Sequence, residues 1–113
     1  MSALACKVDF PEPRTAGDNA RHFVARAYDE DTGLDVDLGG FVATFKLVTF
    51  DGATVIVNDL PCIVSAGSGL VTYIPAPADV ATAGHYLGRF KLVGSDASVL
   101  LLGPVAYEIC SDI

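Results

Sequence analysis

Asp79-Val80-Ala81-Thr82-Ala83-Gly84-His85-Tyr86 runs directly into Leu87-Gly88-Arg89-Phe90-Lys91-Leu92-Val93. The second half alternates. Tyr86, Gly88, Phe90 and Leu92 fall on one side and Arg89 and Lys91 on the other, which is the period of a half-buried strand. The first half is a corner: an acidic residue, a run of small residues, Gly, one spacer, and Tyr at the start of the strand. Immunoglobulin-like sandwiches turn between their sheets in this way, with the Tyr hydroxyl bonded back to the corner backbone. Asp79, Gly84 and Tyr86 are therefore the expected structural corner.

Working outward, the rest of the chain reads as short strands and turns. Arg21 to Tyr28 alternates, with Phe23, Ala25 and Ala27 on one face. Asp29 to Gly33 is a turn, and Leu34 to Leu38 an edge strand or extended link. Phe41 to Val48 carries the clearest row, Phe41, Ala43, Phe45 and Leu47. Asp51-Gly52 closes a hairpin onto Thr54 to Val57, because both residues tolerate positive φ. Cys62 to Ser65 and Leu70 to Ile74 are strands around the turn Ala66 to Gly69. Pro75 and Pro77 end the second, since proline cannot donate to a ladder. After the corner strand, Gly94 to Ser98 turns, and Val99 to Leu102 and Val105 to Ile109 finish the sheet around Gly103-Pro104. Strands at intervals of about 8–12 residues with turn signals between them predict an all-β chain. The expected fold is a single immunoglobulin-like antiparallel β-sandwich of about seven to eight strands. Residues 1–19, with Pro11 and Pro13, are expected to form an extended N-terminal arm or first strand, and residues 20–113 the sandwich.

A chain of 113 residues, 51% of them hydrophobic, suffices for one core without disulfides or metals. The net charge of −7 argues against nucleic acid as a partner. The mean hydropathy of +0.45 is high for so small a domain and suggests apolar surface covered by other subunits. Cys6, Cys62 and Cys110 fit no zinc spacing and read as reduced thiols. Met1 to Cys6 lacks the basic start and apolar run of a lipoprotein signal. No apolar stretch approaches the roughly 18 residues of a membrane helix, so no membrane partner is expected.

Candidate chemistry is sparse. Asp29, Asp31, Asp35 and Asp37, in the run Asp29-Glu30-Asp31-Thr32-Gly33-Leu34-Asp35-Val36-Asp37, place alternate carboxylates on a turn. A hard cation such as Ca²⁺ would take such oxygens. The spacing departs from a calcium loop, and the simpler reading is a solvated hairpin end whose like charges discourage edge pairing. His22 and His85 are the only histidines. No nucleophile elbow accompanies them, so no catalytic residue and no enzyme activity are expected. Ala66-Gly67-Ser68-Gly69 has no Lys and no following helix, so it is a turn rather than a phosphate cradle. Arg89 and Lys91 with Tyr73 could form a nucleic-acid patch, but two basic residues on one strand of an acidic protein are more simply an exposed sheet face or a contact to an acidic neighbour. No cofactor is expected.

The order of the motifs carries a resemblance. Gly17-Asp18-Asn19 precedes the first long strand. Asp35-Val36-Asp37-Leu38-Gly39-Gly40 precedes Phe41-Val42-Ala43-Thr44-Phe45-Lys46. Ser68-Gly69-Leu70-Val71-Thr72-Tyr73 leads to Ala83-Gly84-His85-Tyr86 and then Phe90-Lys91-Leu92. Over about residues 17–110 this resembles the immunoglobulin-like domains of tailed-bacteriophage structural proteins, especially the amino-terminal domain of the baseplate upper protein. The resemblance implies a structural protein of the virion, assembled in the host cytoplasm. Its place would be the tail or baseplate, or else head decoration or a head–tail accessory site. Its partners would be other virion structural proteins in many symmetric copies. The alternative is a host-surface or carbohydrate-binding β-sandwich module, for which Tyr28, Phe50 and Tyr107 are the candidate stacking aromatics.

Overall fold

The computed structural model describes residues 4–9 (backbone alone), 14–20, 22–29 and 31–111. Among the described residues, nine strands form two sheets. The four-stranded sheet has the order β1 (Leu4–Asp9), β3 (Phe23–Asp29), β7 (Leu70–Tyr73), β6 (Ile63–Ser65). The five-stranded sheet has the order β2 (Arg14–Thr15), β9 (Val99–Cys110), β8 (Gly84–Val93), β4 (Val42–Thr49), β5 (Val55–Pro61). All pairings are antiparallel except β2 with β9. The all-β immunoglobulin-like sandwich expected from the alternation is the fold. Of the N-terminal segment 1–19, Leu4–Asp9 lies along β3 and Arg14–Thr15 along β9. Pro11 and Pro13, read as keeping an arm extended, lie outside the described residues, as do Arg21 and Glu30.

The core lies between the sheets and follows from the period-two pattern. Phe23, Ala25 and Ala27 of β3 face Ala43, Phe45 and Leu47 of β4 and Tyr86, Phe90 and Leu92 of β8, and all of them are buried. Aromatic rings fill the centre. Phe45 stacks on Phe23 and Tyr73 at centroid distances of 4.9 and 4.8 Å and meets Phe90 at 4.8 Å. Tyr107 meets Phe23 edge-on at 4.9 Å. Gly88 makes this possible, because a Cβ there would lie 2.7 Å from Tyr107 Cε2 and 3.0 Å from Phe45 Cζ. Beyond them the buried Arg14 lays its guanidinium 4.1 Å from the centroid of Phe23, a cation–π contact that closes one end of the core.

The turns are held by short side chains acting on their own backbone. Asp51 Oδ1 accepts from Thr49 Oγ1 at 2.6 Å and from Ala53 N at 2.9 Å, fixing the β4–β5 hairpin. These two bonds, Thr49 first, hold the Asp51 carboxyl below its ordinary value. Asp96 does the same for the β8–β9 turn by accepting from Ser98 N at 3.0 Å.

Two strands differ from the expectation. β5 does not stop at Val57 but runs to Pro61, and Cys62 then carries the chain from the five-stranded sheet into β6 of the other. β9 is continuous through Gly103-Pro104. The physical reason is the same in both. An extra residue in an antiparallel pair is absorbed as a bulge instead of ending the strand. In β5 the register passes from Phe45↔Leu60 to Leu47↔Val57, so Asn58 and Asp59 together stand opposite Lys46. In β9 it passes from Gly88↔Val105 to Phe90↔Leu102, so Gly103 and Pro104 stand opposite Arg89.

Candidate functional site

Of the residues singled out in the sequence, the corner set converges. Tyr86 Oη donates to Thr82 O at 2.6 Å. Asp79 Oδ2 accepts from Tyr73 Oη at 2.6 Å and from Ala76 N at 2.9 Å, tying β7 to the 3₁₀ turn Pro77–Val80. Burial, and then the bond to Asp79, hold the Tyr73 phenol above its ordinary range. Gly84 opens β8 beside the Tyr86 ring. These are contacts of a scaffold. Tyr86→Phe is expected to lower the unfolding free energy by about 1–2 kcal/mol in urea titration, because it leaves Thr82 O without its donor at a site where the ring is 4% exposed. An unchanged midpoint would show that water replaces the hydroxyl there.

The acidic run does not converge on a point. Asp29 Oδ1 accepts from Asp31 N and Thr32 N. Asp35 pairs with Arg26, and Asp37 Oδ1 accepts from Gly39 N. The carboxylates of Asp29, Asp35 and Asp37 are thus engaged locally, and among the described residues no three His, Cys, Asp or Glu side chains come together as metal ligands. His22 and His85 are exposed. His85 stands opposite Glu108 on β9, while Asp79, near it in sequence, is taken by Tyr73. Cys62 and Cys110 are free thiols, and burial pushes the Cys62 thiol up to about 12, which keeps it protonated and unreactive near neutrality.

Two readings of aromatic residues are corrected. Tyr107 is 5% exposed and belongs to the core, so it offers no platform to a sugar. The reason is the β9 bulge, which shifts the alternation by one residue and turns Val105, Tyr107 and Ile109 inward. Tyr73 is likewise buried against Phe45 and does not accompany Arg89 and Lys91 on the outer surface. Tyr28 is half-buried on the four-stranded sheet, and Phe50, 62% exposed, stands just beyond β4 at the end of the five-stranded one.

The feature that sequence reading missed lies on the outer face of the five-stranded sheet. Lys46 and Arg89 are directly opposed across β4 and β8. The β5 bulge flanks Lys46 and the β9 bulge flanks Arg89, so both irregularities fall on one crosspiece of the sheet. Bulges re-aim side chains and are enriched beside functional sites. Here Asp59, at φ 50°, reaches Arg89, its Oδ1 lying 3.3 Å from Nη2. Between the bulges is a cleft of about 240 Å³ lined by Lys46, Val48, Leu87, Gly88, Arg89 and Pro104. Its walls are apolar and its charged groups are the ammonium and the guanidinium. Arg89 Nη1 is shielded from water and has no hydrogen-bond partner among the described residues. Past Lys91, the same face ends in exposed Val42, Val93, Val99 and Leu101.

No family model and no curated protein matches the chain. Among solved structures it is similar to CopC from Methylosinus trichosporium OB3b, with a TM-score of 0.52 and 16% identity over 99% of this chain and 94% of that one. At that identity the likeness is one of fold, an immunoglobulin-like β-sandwich along the whole length. It overturns the virion reading. The match is to CopC, which is not a baseplate, tail or capsid protein. The tail, baseplate and head-decoration roles are therefore corrected, together with the virion location, the assembly in a host cytoplasm and the symmetric virion partners. The physical reason lies in the motifs. Gly69 closes a tight turn, Tyr73 fills the core and Tyr86 pins the corner, so the order of these residues reports sandwich geometry and not a particle.

Proposed function

We propose that this domain is a non-enzymatic carbohydrate-binding module that takes its ligand on the outer face of the five-stranded sheet. The observation that carries the reading is the cleft between the paired bulges. It opens outward, and Val48, Leu87 and Pro104 supply apolar walls for the C–H face of a sugar ring. Lys46 and Arg89 supply several donors for ring oxygens. Few, well-placed polar groups among apolar walls are what small ligand sites have in common. The whole-chain likeness to CopC supports a sandwich of this kind.

The test is binding of the full chain to an immobilised panel of neutral and charged oligosaccharides. Saturable binding is expected, and it should be lost in the double variant Lys46→Gln, Arg89→Gln with the thermal midpoint retained. Binding that survives the double variant places the ligand elsewhere, and a panel with no saturable ligand refutes the module reading.

A further inference from the structure

We propose that the group seated between Lys46 and Arg89 is a carboxylate, so that the saccharide recognised is an acidic one of the uronic-acid kind. The inference rests on the binding-module reading and adds the charge of the ligand. Three observations carry it.

The first is the placement of charge. The chain has seven Lys and Arg against fourteen Asp and Glu. Arg14 is buried on Phe23, and Arg26 is paired with Asp35. Lys46, Arg89 and Lys91 share one face. An acidic protein thus presents a cationic spot on one side, where an anion is favoured locally.

The second is the opposition of like charges. Lys46 and Arg89 are cross-strand partners, and like charges directly opposite one another destabilise a sheet. Asp59 relieves only part of this, through a single contact at 3.3 Å to Nη2. An anion lying between the two cations relieves the rest.

The third is the state of the guanidinium. Arg89 carries a shielded Nη1 with no acceptor among the described residues, a loss that a folded protein avoids unless something else offsets it. A small rotation of the side chain brings its planar fork onto a carboxylate in the cleft, and two parallel N–H···O bonds then form. The Lys46 ammonium adds a third donor, while the apolar walls hold the ring that bears the carboxylate. A neutral sugar offers only uncharged single acceptors, which cannot meet the fork with two parallel charge-assisted bonds.

Amide NMR titration of the full chain with D-glucuronate tests this. Glucose, the methyl ester of glucuronate, and acetate serve as comparators. Saturable shifts are expected at the amides of Lys46, Val48, Leu87, Gly88 and Arg89. Glucose, the ester and acetate should each bind at least about tenfold more weakly, and Arg89→Lys, which keeps the charge but loses the fork, should also cost about tenfold or more. Lys46→Gln is a second variant that keeps Arg89 and should weaken glucuronate more than glucose. Equal affinity for glucose and glucuronate at these amides overturns the carboxylate and leaves the module reading intact. Equal affinity for acetate and glucuronate overturns the acidic sugar and points to a bare carboxylate, such as that of a peptide. No shift on this face with any sugar overturns both.

Discussion

Replacing Phe45 with alanine is expected to cost about 3–5 kcal/mol of folding free energy, read as a fall in the urea midpoint at constant slope. Phe45 is fully buried and is the ring on which the two sheets meet. Phe23 and Tyr73 reach it from the four-stranded sheet, and Phe90 lies beside it on its own sheet. Truncation removes the transfer free energy of the ring, leaves a void bounded by three other rings, and forfeits their offset-stacked and tilted contacts. A domain of this size holds about 5–15 kcal/mol in all, so the variant stands at the edge of folding. Phe50→Ala is the control. Its ring is 62% exposed, and its loss should stay within about 0.5 kcal/mol. If the two variants were equally stable, the aromatic stack would not be what joins the sheets.

The stack also explains which parts of the fold are legible in the sequence. Phe41, Ala43, Phe45 and Leu47, and Tyr86, Gly88, Phe90 and Leu92, alternate without interruption, and burial on one side of a strand leaves no other arrangement for them. Asp51-Gly52 is legible for a local reason, because side chain and backbone of the turn satisfy each other. What fails is any step that needs a strand's partner. The strand read as Thr54 to Val57 runs on to Pro61, because beside β4 Asn58 and Asp59 become the extra residues of a bulge. Gly103-Pro104 reads as a break and is a bulge too, and its phase shift is what sent Tyr107 inward. The pairing of Arg14–Thr15 with β9 leaves no periodic trace, since two residues carry no pattern.

The candidate site is illegible for the same reason, compounded. Lys46 and Arg89 are far apart in sequence, and each reads as an outward cation on an amphipathic strand. Their opposition is set by the β4–β8 register, and the cleft is set by two bulges in different strands falling on the same crosspiece. Neither fact is local. A virion role followed instead from motifs that are local, and those motifs turn out to serve the sandwich.

Gly69→Ala is expected to cost more than about 3 kcal/mol, combining a strained backbone with a clash that nothing can relieve. Gly69 has φ +66°, a region that an L side chain adopts at a cost. A Cβ there would lie 2.5 Å from Ala27 O and 3.0 Å from Val36 O. Both are backbone atoms, and their segments are hydrogen-bonded to one another. Ala27 O accepts from Val36 N at 3.1 Å, and Ala27 N donates to Gly69 O at 2.9 Å. The methyl group must therefore push apart β3, the link that follows it and the turn before β7, and no rotamer change removes the contact. Gly52→Ala separates the two contributions. Gly52 has a similar φ of +75° with nothing within 4 Å of its Cβ position, so only the backbone cost of about 1–2 kcal/mol applies. The difference between the two variants in parallel urea titrations measures how rigidly those three segments are held together. If Gly69→Ala were no worse than Gly52→Ala, the link 34–38 would be free to move away, and the burial of Leu38 in the core would contribute little to stability.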